Sequence, residues 1–179
     1  MKRLSSSATT KLEWSEAQPS IDSNSFREAM SRVVTAVHVI TSDGPEGRAG
    51  LTASAVASVS DQPPTVLACL NGSSQSAARL IGNGVFCINT LGDGDQEIAA
   101  VFAGRTELTH HRRFERGTWL HLATGSPLLA SAIAAFDCRL VDIRRVATHD
   151  VVVGEVLAVR CARDAAALAY LDRGYRTVP

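Results

Sequence analysis

Two long strand-like segments, AIAAFDCRLVDIRRV (132–146) and HDVVVGEVLAVRCA (149–162), follow one another with only Ala147 and Thr148 between them. A gap that short suits an antiparallel pair, whereas parallel strands need a crossover of a dozen or more residues. Further strands are expected at VHVITS (37–42), at 48–60, at 65–71 and at VFCINTL (85–91). ALAYLDRGYRTV (167–178) suggests two more short ones. Helices are few and do not alternate regularly with strands. That pattern predicts a mainly β, closed antiparallel barrel with helices at its ends, not a doubly wound sheet.

The helices and turns follow from local signals. Ser25 and Glu28 form a capping-box pattern, and Phe26, Met30, Val33, Val34 and Val37 recur at helical spacing behind it. DGPEG marks a turn after the 37–42 strand, and Pro63 and Pro64 place another turn in SDQPP, since proline breaks a central ladder. SSQSAARLIGNG (73–84) and DQEIAAVFAG (95–104) read as short helices, and RTELTHHRRFERGT (105–118) as a surface loop. Residues 1–24 are expected to form a flexible arm, with Trp14 able to dock locally, and 25–179 a single domain.

Charge narrows the partners. Eighteen Lys and Arg balance eighteen Asp and Glu, which removes the electrostatic footprint that nucleic acid or an anionic membrane surface requires. No apolar run reaches the length of a membrane span, and the N-terminus has no hydrophobic core for a secretory signal. Cys69, Cys87, Cys138 and Cys161 stand singly in apolar contexts and are expected as small core residues of a reducing cytoplasm. With no C-x-x-C and no H-E-x-x-H among His38, His110, His111, His121 and His149, no metal site is expected. LGDGDQE (91–97) lacks the third glycine and the βαβ setting of a dinucleotide fingerprint.

The segment GLTASAVASVSDQPPTVLACLN (50–71) carries the chemistry. Thr52, Ser54, Ser58 and Ser60 alternate with alanines, and no charge appears before Asp61. Hydroxyls offer donor and acceptor at short reach, and alanines leave the backbone open to a planar ligand. Asn71, Gly72, Ser73, Ser74 and Ser76 then lead into a helix, whose N-terminal amides and hydroxyls form an anion seat.

These stretches, with GNGVFCINTL, QEIAAVFAG, RRFERGTW, ATGSPLLASAIAAFDCR, THDVVVGEV and LAYLDRGY, make residues 25–178 resemble the short-chain flavin reductases. These are reductase partners of two-component flavin monooxygenases, among them the 4-hydroxyphenylacetate 3-monooxygenase reductase component. The resemblance implies an FMN-binding split β-barrel with a Greek-key core, forming a cytoplasmic homodimer. It implies hydride transfer from NADH or NADPH to FMN or FAD, the reduced flavin diffusing to a monooxygenase of aromatic catabolism. By the same resemblance Thr52, Ala53, Ser54 and Ala55 line the flavin, with Ser58 and Val59 beside it. Leu70 and Asn71 reach the isoalloxazine edge, Ser74 and Ser76 the phosphate side, and Phe102 and Ala103 pack at the flavin, with Arg105 assisting a phosphate. His149 matches a histidine near the nicotinamide or flavin ring, with Ala147 standing where the family commonly has glycine. Tyr175 matches a tyrosine that closes over the cofactor.

Both reacting atoms in such chemistry belong to the cofactors, so the protein need supply only binding, orientation and water exclusion. Two other readings stay open here. ATGSPLLASAIAAFDCR also resembles the cob(II)yrinic acid a,c-diamide reductases. A non-catalytic split-barrel protein holding flavin or haem would use the same binding residues.

Overall fold

The computed structural model describes residues 21–104, 106, 108, 111–162 and 165–179. Trp14, Arg105, His110 and the arm up to residue 20 lie outside them. In chain order the elements are α1 (Ser23–Ser31), β1 (Thr35–Ala36), β2 (His38–Ser42), β3 (Ala49–Ala53), β4 (Val56–Asp61), β5 (Pro64–Asn71) and α2 (Gln75–Asn83). There follow β6 (Val85–Thr90), α3 (Gln96–Phe102), β7 (Trp119–His121), β8 (Pro127–Leu129), β9 (Ala134–Val146), β10 (His149–Cys161), β11 (Ala167–Leu171) and β12 (Gly174–Val178).

Seven strands form one sheet in the order β3-β2-β6-β9-β10-β5-β4, every pair antiparallel. The outermost strands of that order, β3 and β4, are consecutive in sequence and joined by Ser54 and Ala55 alone. A connection of two residues brings the sheet's edges together, so the sheet must curl into a barrel. Strand pairing stops at Ser54–Ala55, and the barrel is split there. Register shifts in β10 against β9, at Val153/Gly154 and Val156/Ala158, supply local bending of the kind β-bulges give.

The expected hairpin is present, with His149 opposite Val146 and Cys161 opposite Ala134. The expected strand 48–60 is instead two strands, broken at Ser54–Ala55. The turn at Gln62-Pro63 is in place, but Pro64 opens β5 and pairs with Asp61.

Helix α1 departs further from expectation. Asp22, not Ser25, is its N-cap, accepting from the backbone N–H of Asn24 and Ser25. Glu28 makes no capping box and pairs instead with Arg32 and Arg173. The helix ends at Ser31, so Val33 and Val34 lie beyond it and, with Phe26 and Met30, remain exposed, while Val37 enters the core.

Two larger apolar clusters and a small one at Cys87, Leu128 and Ala135 hold the described residues together. Ile40, Leu70, Leu80, Phe86, Ile88 and Val152 pack together between α2 and the large sheet. Val37, Leu91, Ile98, Phe102, Phe114, Leu129 and Leu168 form the second, beneath α3. Phe114 is thus buried, although its stretch reads as a surface loop. Of the cysteines, Cys87 and Cys138 are core residues as expected, whereas Cys69 is half-buried and Cys161 exposed. Burial pushes both core thiols up, Cys138 to about 12, and so keeps them protonated and inert.

His38 lies buried on β2 with Nδ1 against Thr90 Oγ1 at 3.1 Å, and burial lowers its pKa to about 4 from the ordinary 6.5. Between these values the unfolded chain binds a proton that the folded chain refuses. Stability is therefore fully present above pH 6.5 and falls as pH drops towards 4, by about 3 kcal/mol. Urea midpoints at about pH 7 and about pH 5 should show about 2 kcal/mol of this loss in the native protein and a smaller one in His38→Gln. Equal losses in both would remove His38 as the cause.

Candidate cofactor site at the barrel split

The break between β3 and β4 opens onto a cavity of about 550 Å³. Leu51, Thr52, Ala53, Ser54 and Ala55 line it from the break itself, and Cys69, Leu70 and Asn71 from the end of β5. Ser74 and Ser76 contribute from the start of α2, and Phe102, Ala103 and Gly104 from the end of α3. Arg113 and His149 also line it, and none of the described lining residues is acidic.

Each wall has a local cause. Thr52 Oγ1 donates to Ala99 O at 2.7 Å, which ties β3 to α3. Gly50 permits that approach, since a Cβ there would stand 2.5 Å from the Phe102 ring. Phe102 is fixed in turn by edge contacts to Phe114 and Trp119, with centroids at 5.0 and 5.6 Å. Ala55 O accepts from Cys69 N at 2.9 Å, which holds the second edge against β5. Asn71 Oδ1 accepts from Ser73 N and Ser73 Oγ, turning the chain into α2. Ser74 caps that helix by accepting from Ala77 N. The N-terminal end of the helix dipole therefore meets the cavity beside Ser74 and Ser76, where an anion is favoured.

Of the residues singled out from sequence, Thr52, Ala53, Ser54, Ala55, Leu70, Asn71, Ser74, Ser76, Phe102, Ala103 and His149 come together around this one cavity. Tyr175 lines a neighbouring cavity of about 250 Å³, with Tyr170 and Val37, which shares the Thr52–Ser54 wall and Ala103. Ser58 and Val59 do not line either, because past the break β4 runs along β5 with both residues exposed. Sequence reasoning missed Leu51, Cys69, Gly104 and Arg113. Arg113 is half-buried, its Nε donating to Leu108 O at 3.3 Å. No periodic pattern in its stretch could have marked it out.

The model of the flavin reductase like domain matches residues 30–179. The chain belongs to the flavin reductase like family. Within it, FMN reductase (NADH) RutF 1 of Methylorubrum extorquens strain PA1 is 52% identical over 165 residues, 92% of this chain and 81% of that one. Among solved structures, BorF is the flavin reductase component of a bacterial two-component tryptophan halogenase. It aligns with a TM-score of 0.82 and 31% identity, over 88% of this chain and 99% of its own. The NADH:FAD oxidoreductase SgcE6 of Streptomyces globisporus C-1027, solved with NAD and FAD fragments, gives 0.79 and 26%, over 87% and 92%. The architecture is accordingly the split barrel of flavin reductases, as the strand pattern and the resemblance led one to expect.

Proposed function

We propose that this chain is an NAD(P)H-dependent flavin reductase that delivers reduced FMN or FAD to a separate flavin-dependent monooxygenase. The observation that carries the reading is the cavity of mostly small, uncharged residues at the barrel split, with a helix N-terminus and Arg113 at its wall. A flavin suits that lining: a flat uncharged ring system against Thr52–Ala55, and an anionic tail towards Ser74, Ser76 and Arg113. When bound, a flavin would supply the hydride acceptor for a reduced nicotinamide.

The chain's own part is placement. Ala53 and Ala55 let the ring approach the backbone, and Leu70 and Phe102 exclude water behind it. Asn71 and His149, opposite each other in the β5–β10 register, border the space left for the nicotinamide. No group of the protein has to take up or release a proton for hydride to pass. A ligand held mostly by neutral groups also leaves readily, as a diffusing product must. Tyr175 belongs to this reading as a wall of the adjoining cavity.

The reading extends to a cytoplasmic homodimer and to residues 25–179 as one domain. Ile21, Phe26, Met30, Val33 and Val34 stand exposed around α1 and favour burial against a second copy. A one-protomer mass in sedimentation would contradict the dimer.

Initial rates of NADH and NADPH oxidation with FMN, FAD and riboflavin test the whole. Saturable flavin-dependent oxidation is expected, and Arg113→Gln should raise KM for FMN about 10-fold while leaving riboflavin unchanged. No oxidation with any flavin would remove the reading. An equal effect on FMN and riboflavin would remove Arg113 from the phosphate.

A further inference from the structure

We propose that Arg145 is a positioning residue. It fastens the turn that carries His149 to the loop that opens the anion seat, and so sets the nicotinamide side of the site relative to the phosphate side. This rests on the reading of His149 given above.

The β9–β10 turn consists of Ala147 and Thr148, and Ala147 adopts φ 49°, a left-handed conformation that a side chain disfavours. The turn therefore needs contacts from outside itself. Arg145 Nε donates to Ala147 O at 3.1 Å, and its Nη1 donates to both carboxylate oxygens of Asp150 at 2.9 Å. Arg145 and Asp150 face each other across the hairpin, so one guanidinium grips both sides of the turn. Gly72 N donates to Thr148 O at 3.0 Å, which joins the turn to the loop between Asn71 and Ser74.

The guanidinium also rests on that loop. A Cβ on Gly72 would stand 1.7 Å from Arg145 Nη1, 2.3 Å from Cζ and 2.6 Å from Nη2. The backbone at Gly72 lies outside the left-handed region, and a Cβ there would displace the guanidinium from its present position. His149 follows directly, opposite Asn71, with its Nδ1 at 2.9 Å from Thr148 Oγ1. Its ring is thus tied to the same turn. The arginine side chain is 55% exposed, and an ion pair of that exposure adds little to stability. Its consequence lies in where the turn sits.

The test is a set of variants, Arg145→Ala, Gly72→Ala and His149→Ala, with the pairs Arg145→Ala/Gly72→Ala and Arg145→Ala/His149→Ala. The readouts are the anaerobic rate of FMN reduction by NADH, the FMN dissociation constant and the melting temperature. Arg145→Ala should slow reduction about 10-fold and change FMN binding and melting little. Gly72→Ala should slow it comparably in the native background, but by less than about 2-fold once Arg145 is gone. Arg145→Ala should likewise act by less than about 2-fold in the His149→Ala background. If His149→Ala slows reduction and Arg145→Ala does not, or if their losses multiply, the positioning role is overturned while His149 stands. If His149→Ala leaves the rate unchanged, the reading of His149 falls and takes this proposal with it.

Discussion

Phe102→Ala is expected to lower stability by about 3–5 kcal/mol, the usual result of emptying a buried phenylalanine site. Phe102 is 2% exposed and touches Phe114 and Trp119 edge-on. Its neighbours cannot collapse into the space, because β3 is pinned to α3 through Thr52 and Ala99. For a chain of this length that loss lowers the melting temperature by roughly 6–20 °C. The same ring lines the cavity, so the surviving folded protein should also bind FMN more weakly. Thermal melts with and without FMN read both effects. A variant that melts like the native protein would show that the aromatic cluster does not support this wall.

Ser54→Trp is expected to abolish FMN binding at ordinary concentrations and leave the fold unchanged. Ser54 is exposed, lies outside any strand, and lines both the larger and the smaller cavity. An indole there occupies the space along Thr52–Ala55 against which the flavin ring would lie. A loss on the order of 100-fold in affinity, about 2.7 kcal/mol, is expected. Fluorescence titration with FMN measures it, and an unaltered melting temperature separates a blocked site from a damaged fold. Retained affinity would mean that the flavin lies elsewhere.

What could be seen in the sequence, and what could not, follows from how far each signal reaches. The β9–β10 hairpin was legible because its alternation is long and its connection short. Thr52–Ala55 and Asn71–Ser76 were legible because missing charge and surplus hydroxyls are local properties of a chain segment. Ser58 and Val59 fall outside both cavities because the chain forms two strands over 48–60, where the alternation reads as one. The break at Ser54–Ala55 comes from closure of the barrel, which depends on strand order and not on local pattern. The start of α1 was misjudged because Asp22, Ser23 and Ser25 are all competent caps. Asp22 takes the role by accepting two backbone N–H groups that Ser25 does not. Arg113 stayed hidden in a run of charged residues, since only its tertiary neighbours bring it to the cavity.

The central claim is that a flavin held at the barrel split is reduced there by a nicotinamide. The most direct measurement mixes the protein and FMN with NADH in the absence of oxygen and follows the flavin absorbance through a single turnover. The account predicts saturable bleaching far faster than that of free FMN with NADH, and its loss in Ser54→Trp. FMN that binds but keeps its colour would contradict it, and would make this a flavin-binding protein without the reductase step.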